Sequence, residues 1–516
     1  MTWSEFIIEI NQKSREEYFE IFGEIEERLR RLEYSLNPEQ IKDIAETTIY
    51  SPVWVKIHML SFCMKVSGQP QYAEQILDLI EQSDMDEVGE YNRLSHYWQI
   101  STAVFKDSRL KTPEVEMKLL KLYRSLFESF CSVIFPGIKK RNYLKKEEQN
   151  REQVFVFISQ VLTLKHAPTK TLLDRCYVLQ KYVGKRVFIV NTAMQVPKKG
   201  QAPFYDLQTA SYLYEYAEKR FLEFKGEKFE FYQCKDDMPN LQTIADLVML
   251  VKEKKPCYLV NIGGSDICAD ICGMIVPEIT VSTVFSGIAP SCGEYQITGA
   301  ALTEAEREGL KILGVEETKV KHTLFSFSFK EQSHKYTRAD LGIWEKRFVL
   351  VVVGWRLDAE ADRNFFDCLS QILERNENIG VVFIGKFDRY EEQVKNNLLL
   401  RCNTRYLGMQ EDVLAVMECC DLYINPKRQG GGSSAAEALY QGVPVMTLPY
   451  GDVFAAAGEE FVLEDYKKMV LQTIKYATEP EFYEKMSRKA KKRAGLLLDS
   501  NATFGETVQE IEEELG

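Results

Sequence analysis

Three consecutive glycines, Gly430, Gly431 and Gly432, separate a short apolar run from an alanine-rich one within DLYINPKRQGGGSSAAEALYQGVPVMTLP, residues 421–449. The run 421–425 predicts a buried strand, which Pro426 and the glycines break. Ser433 and Ser434 open a helix that Gly442 and Pro444 close, and 445–448 begins another strand. Strand, glycine loop, helix and strand form a βαβ unit. Its glycines let backbone approach an anion, and the helix offers free N–H groups and a positive dipole end. Two plainer readings stand beside this one. Ser434-x-x-Glu437 fits a capping box, which would occupy Glu437 with backbone N–H groups, and glycines also serve simple tight turns. Neither Walker A nor G-x-G-x-x-G occurs here, so ATPase and dinucleotide readings have no local support.

The 516 residues exceed one core, so two or three domains are expected. A net charge of −12 with no long basic block argues against nucleic acid as a partner. No apolar run reaches the ~18–20 residues of a membrane span, and the opening MTWSEFIIEI is acidic where a secretion signal would be basic. Twelve scattered cysteines and only five histidines give no metal-ligand spacing. No metal and no resident cofactor are therefore expected, and the thiols suit the reducing cytoplasm.

In chain order, residues 1–150 show helical periodicity, as in AEQILDLIEQ (73–82) and VEMKLLKLYRSLFESF (115–130), without a fixed repeat. This helical domain is expected to recognise an acceptor, to scaffold a partner subunit, or to brace the rest. At residue 154 the texture changes. VFVFISQVL (154–162), RVFIVNTA (186–193), FEFYQC (229–234), CYLVNIGG (257–264) and EITVSTVF (278–285) alternate with helical patterns, predicting a doubly wound parallel sheet over 151–298. The aromatic middle, with Phe204, Tyr205, Tyr212, Tyr214 and Tyr216, predicts an insertion or an extra hairpin. A crossover follows over 299–345. A second sheet over 346–478 opens with FVLVVVGWRLD (348–358) and continues with GVVFIGKF (380–387) and RYLGM (405–409). Amphipathic helices over 464–478 and 480–498, the latter within a terminal segment 479–516, are expected to pack back across the hinge. The fold class is thus α/β: two doubly wound Rossmann-like domains after an all-helical one.

NPKRQGGGSSAAEAL-YQGVPVMTLP resembles the donor-nucleotide loop and helix of GT-B glycosyltransferases, specifically the O-linked N-acetylglucosamine transferases and the bacterial cytoplasmic N-glucosyltransferases. Three weaker segments agree in order. FISQVLTLKHAPTKTLL (157–173) is similar to the group's first strand, histidine-bearing loop and helix. SGIAPSCGEYQIT (286–298) is similar to the segment ending its first catalytic domain, and VVVGWRLD (351–358) resembles the strand and basic loop that begin the second. The resemblance covers roughly 154–470.

That resemblance implies a nucleotide-diphosphate sugar as co-substrate, UDP-linked, carrying a hexose or N-acetylhexosamine to a protein or glycan acceptor. It implies that Gly430, Gly431, Gly432, Ser433 and Ser434 hold the diphosphate and that Glu437 accepts from the ribose hydroxyls. Arg356 would neutralise the leaving phosphate, or be an ordinary surface arginine. Tyr406, Leu407 and Met409 would cradle the base. His166 would be a base of near-neutral pKa, a hydrogen-bonding positioner, or simply structural. Gln429 stands where many retaining members carry the first glutamate of E-x7-E, which favours an inverting, metal-independent reaction. The rival expectations are a catalytically silent GT-B-like subunit or chaperone of a glycosylation or export complex, and a nucleotide-sugar epimerase.

Overall fold

The structure, a computed structural model, describes residues 3–516 apart from 34, 83, 84, 139, 165, 196–202, 208, 209, 286 and 330; Lys165 and Ser286 of the segments above thus lie outside it. Among the described residues everything before Asn150 is helix, turn or loop, and the last long helix is Pro113–Ile134. Eight strands then build one sheet: β1 (Asn150–Ile158), β2 (Arg186–Asn191), β3 (Phe221–Phe224), β4 (Glu227–Gln233), β5 (Pro256–Ile262), β6 (Glu278–Val281), β7 (Tyr295–Thr298) and β8 (Val320–His322). Their order is β3-β4-β2-β1-β5-β6-β7-β8. All pair in parallel except β3, which forms an antiparallel hairpin with β4. The hairpin lies after the aromatic stretch, whose described residues hold loop, turn and one short helical turn (Tyr214–Glu218) and no strand, so that stretch is the expected insertion rather than the hairpin. The sheet also runs further than 298, since β8 lies inside the segment read as crossover.

The second sheet contains β9 (Phe348–Gly354), β10 (Ile379–Gly385), β11 (Thr404–Tyr406), β12 (Leu422–Ile424) and β13 (Val445–Met446), ordered β11-β10-β9-β12-β13 and wholly parallel. In both sheets the chain winds outward one way, then returns to the other side of its first strand. The switch points fall between β1 and β5 and between β9 and β12, where doubly wound sheets open a crevice beyond the strand C-termini.

Strands covered on both faces must be apolar on both, which is why β1 and β9 are unbroken runs in the sequence. The two faces of β1 join different cores. Val154, Val156 and Ile158 pack with Leu172 of the helix Ala167–Lys181. Phe155 and Phe157 instead share one core with Phe62, Tyr97 and Leu122 of the helical segment. The N-terminal helices are therefore built onto the first sheet rather than tethered to it. Tyr205 of the aromatic insertion seals the junction: its ring meets Phe62 edge-on at 4.9 Å, and its N–H donates to Ser61 Oγ at 2.8 Å.

The linker back to the second sheet is pinned by Arg175, whose guanidinium donates to Ser326 Oγ (2.7 Å) and to the Ser326 carbonyl (3.1 Å). The helices Tyr466–Thr478 and Pro480–Leu497 stay with the second domain, packing on Arg363–Arg375 and Gly432–Gln441. It is the last helix, Glu506–Leu515, that crosses back, burying Val508 and Ile511 in the first sheet's core. Among the described residues no helix is long and apolar enough to cross a membrane.

Candidate functional site

The glycine loop follows β12 and Arg356 follows β9, so both emerge at the second sheet's switch point. Gly431 takes φ +105°, and a Cβ there would meet the Arg428 guanidinium at 2.6 Å. The helix starts at Gly432 with Gly431 as its N-cap and no side-chain cap. The capping box, the plainer alternative for Ser434 and Glu437, is therefore absent. Starting the helix that early places Ser434 within its first turn, where its hydroxyl donates back to the Gly431 carbonyl at 2.9 Å. Glu437 is left a turn further on. Its half-buried carboxylate has no hydrogen-bond partner among the described residues, and burial raises its pKa, partly offset by the charge of Lys170 and reinforced by Asp412.

Behind the loop lies a polar network that sequence reasoning missed. Arg428, almost fully buried, donates from Nη1 to Glu360 Oε2 (2.9 Å), from Nε to Asn425 Oδ1 (2.8 Å) and from Nη2 to the Tyr423 hydroxyl (2.7 Å). The Tyr423 and Ser434 hydroxyls are 2.9 Å apart; since the Ser434 proton goes to Gly431, Tyr423 is the donor. Glu360 Oε1 holds Arg356 Nη2 at 2.8 Å, so one buried carboxylate serves two guanidiniums. Burial alone would raise the Glu360 pKa; Arg428 and Arg356 overcome it and hold it low. Arg356 is thus anchored against the loop, its Nη2 3.3 Å from where a Gly430 Cβ would stand. Ser434 turns inward and can offer a ligand only its backbone N–H, whereas the Ser433 hydroxyl has no partner among the described residues.

Asp452 closes the loop's other side. Its N–H donates to the Gln429 carbonyl at 2.7 Å, and its Oδ1 accepts from Phe285 N of the first domain at 2.9 Å. Burial raises its pKa to about 7, against the pull of the Phe285 N–H and of Lys111, Arg356 and Arg428. Gln429 Oε1 accepts from Lys111 Nζ at 3.2 Å, a contact from the helical segment that no local pattern announces.

Tyr406, Leu407 and Met409 sit at the end of β11, two strands from β9 and three from β12. The Tyr406 hydroxyl donates to the Gly385 carbonyl (2.9 Å), and Leu407 N pairs with Phe383 O (2.9 Å), while the Tyr406 ring and, more fully, Met409 remain exposed. Trp355, 65% exposed beside Arg356, lies on the same strand-end edge and was overlooked, although a tryptophan directly after VVVG is visible in the sequence.

His166 belongs to the first domain, at the N-cap of Ala167–Lys181 and beyond β1 at that sheet's own switch point. Its Nδ1 lies 3.0 Å from Thr169 Oγ1, which fixes the ring and leaves Nε2 for a ligand. Burial pushes its pKa down to about 4. That value lies below the near-neutral one expected of a base and leaves the imidazole uncharged in the neutral range. Lys170, one turn along, is the residue whose charge reaches Glu437. Among the described residues no group of histidine, cysteine and carboxylate side chains is arranged to hold a metal.

Residues 334–493 match the family described as Glycosyl transferases group 1. Among solved structures, a mutant O-GlcNAc transferase of Thermobaculum terrenum aligns over 100% of this chain and 98% of its own, with TM-score 0.55 and 13% identity. A glycosyltransferase from Rickettsia africae ESF-5 (TM-score 0.49, 11% identity, 71% and 99% covered) and Anabaena HepE in complex with UDP and glucose (0.48, 13%, 70% and 100%) are more distant. No curated protein matches the sequence. The fold is GT-B, with an all-helical region in front of it, and the match to the group 1 glycosyl transferase family lies within its second domain and the flanking segments.

Proposed function

We propose, from a GT-B fold whose second domain matches the group 1 glycosyl transferase family, that this chain moves a sugar from a nucleotide-diphosphate donor to a protein or glycan acceptor. The donor is a UDP-linked hexose or N-acetylhexosamine, as the loop's resemblance implies, and the transfer is inverting and metal-independent. The observation that carries this reading is the glycine loop: free first-turn N–H groups, the Ser433 hydroxyl and an Arg356 anchored against Gly430 lie at one helix N-terminus, with the Glu437 carboxylate a turn away. Backbone donors and Ser433 hold the diphosphate, Glu437 accepts from the ribose, and Arg356 meets the charge that develops as the sugar leaves. Tyr406, Leu407 and Met409 border the base. Absent cysteine pairing, with eleven of twelve thiols at least partly buried, suits the cytoplasm.

His166→Ala tests enzyme against binding protein. UDP affinity should stay, because the loop that holds UDP is in the other domain. Turnover should fall by less than the ~10²-fold minimum of general base catalysis, because an imidazole of pKa about 4 is a weak base and acts here by positioning. The wild-type pH–rate profile should accordingly show no limb from this group above about pH 5. Binding kept with turnover down ~10³-fold would restore the base role; unchanged turnover would remove His166 from the reaction.

Asp452 gives a pH test of the donor site. Its folded pKa lies above the ordinary carboxyl value, so it is neutral below about 7 and adds negative charge beside the loop above it. UDP affinity should decline as pH rises through 7, relative to Asp452→Asn, in which the same ligand titrates but that decline is missing. Parallel pH curves for the two proteins would show that Asp452 does not act on the site.

A further inference from the structure

Between the helical segment and the first sheet lie two buried carboxyls that the donor site does not use. The short helix Ile267–Cys272 follows β5, and the helical segment holds it at both ends. At its head the Tyr97 hydroxyl lies 3.2 Å from Ser265 Oγ. Further along, the Tyr123 hydroxyl of Pro113–Ile134 donates to Asp270 Oδ2 at 2.6 Å. Asp270 also takes the Ser291 hydroxyl on Oδ1 (2.6 Å) and the Cys292 N–H on Oδ2 (3.0 Å). Three donors on one almost wholly buried carboxyl are the surroundings of an ionised carboxylate.

Glu278, on β6 and wholly buried, is served differently. Its Oε1 accepts from Asn261 Nδ2 at 2.8 Å. The Ser291 hydroxyl is 3.3 Å from the same oxygen, but its one proton goes to the nearer Asp270, and Thr280 Oγ1 gives its own to Ser291 at 2.7 Å. Glu278 Oε2 has no hydrogen-bond partner among the described residues, and neither has Asn261 Oδ1. The space around Oε2 is filled: a Cβ on Gly273, the C-cap of Ile267–Cys272, would overlap it, and one on Gly293 would stand 2.9 Å from the Glu278 carboxyl carbon. Cys272, Cys292, Tyr143 and Arg141 also face Glu278, while Tyr97, Cys131 and Asp266 surround Asp270 with Tyr123. Arg141 is the cation whose charge reaches Glu278, but its guanidinium donates to the Cys292 carbonyl rather than to either carboxyl. Two buried carboxyls that share a hydroxyl, among more acceptors than donors, are held without water only if one keeps a proton. Burial and then the Asp270 charge push the Glu278 pKa up, against the weaker pull of Asn261 and Arg141.

We propose that Glu278 is a neutral acid at neutral pH, and that with the ionised Asp270 it forms a one-proton lock on the seam between the helical segment and the first sheet, a lock that loosens as pH rises. It stands apart from the transfer reaction and does not depend on it. The sign follows from the burial. Because folding raises the Glu278 pKa, the unfolded chain gives up this proton at a lower pH than the folded one. Above the ordinary carboxyl range, opening of the seam is therefore favoured by up to ~10-fold per pH unit, until the folded carboxyl itself ionises. The turn over 263–266 joins this helix to β5 at the first sheet's switch point, so loosening reaches the crevice there.

The test compares the full chain with Glu278→Gln and with Glu278→Met; both remove this titration, and the second covers the case in which the amide does not fit. Infrared spectra at pH 8 should show a neutral carboxylic acid band in the wild type that the variants lack. Hydrogen exchange is then followed in peptides covering 115–130 and 267–281 from pH 6 to pH 8, each variant against the wild type at the same pH so that the intrinsic rate cancels. Asp266 and Asp452, with pKa values of about 6 and about 7, titrate in all three proteins and cancel too. Over those two units the wild type should lose at least ~10-fold of its protection relative to the variants, against a limit of ~100-fold, while peptides of 346–478 keep theirs. Equal acid bands in wild type and variants would show Glu278 ionised and overturn the proposal. Protection that runs parallel with pH, or a loss spread evenly over both domains, would overturn it as well.

Discussion

Arg428→Met should lower the stability of the second domain by about 3–5 kcal/mol, the cost of stripping the partner from a buried charge. Its guanidinium supports three groups at once. Glu360 would keep only Arg356 for its buried carboxylate, and Tyr423 would lose the donor that orders the hydroxyl chain to Ser434 and Gly431. The shape of the loop should fail with its support, so nucleotide binding should disappear even under conditions where the chain stays folded. Pairing the change with Glu360→Gln removes the stranded charge and should recover part of the stability but not the binding. Urea midpoints of the single and double variants measure the first effect, and UDP titration measures the second. A single variant as stable as wild type would mean that the network does not support the loop.

Glu437→Gln should have the opposite profile. No capping interaction is lost, because the helix starts at Gly432 and the Glu437 carboxylate bonds nothing among the described residues. Burial already disfavours its charge, so removing that charge should leave stability unchanged or slightly raised. A charge-assisted contact to ribose is worth ~1.5–3 kcal/mol, and UDP affinity should therefore fall roughly 10–100-fold. Unaltered affinity in a folded variant would take Glu437 out of the ribose role.

The contrast between these two residues shows which parts of the site the sequence announces. Strands were legible because both sheets are covered on two faces, so β1, β9 and β10 stand out as continuous apolar runs between glycine and polar turns. The anion loop was legible because glycine triplets between a strand and a helix are a local signal. Arg428 was not. In KRQGGG it looks like one more solvated loop cation, and its burial depends on Glu360, 68 residues away, folding over it. Asp452 is decided by Phe285, 167 residues away, and Gln429 by Lys111, 318 residues away. The capping box is absent for a local reason: S-x-x-E sets a register only if the serine is the N-cap, and Gly431, free to take a left-handed conformation, took that place three residues earlier. For His166, the loop position was readable, but its pKa was not, since burial by the surrounding fold sets it.

The central claim is transfer from a nucleotide-diphosphate sugar, and its most direct measurement is release of nucleoside diphosphate from a panel of nucleotide sugars, with and without cell lysate as acceptor. The expected result is UDP release from a UDP-hexose or UDP-N-acetylhexosamine in the presence of chelator, accelerated by acceptor and strongly reduced in Glu437→Gln. No release from any donor by a folded protein, or release that Glu437→Gln leaves unchanged, would contradict it.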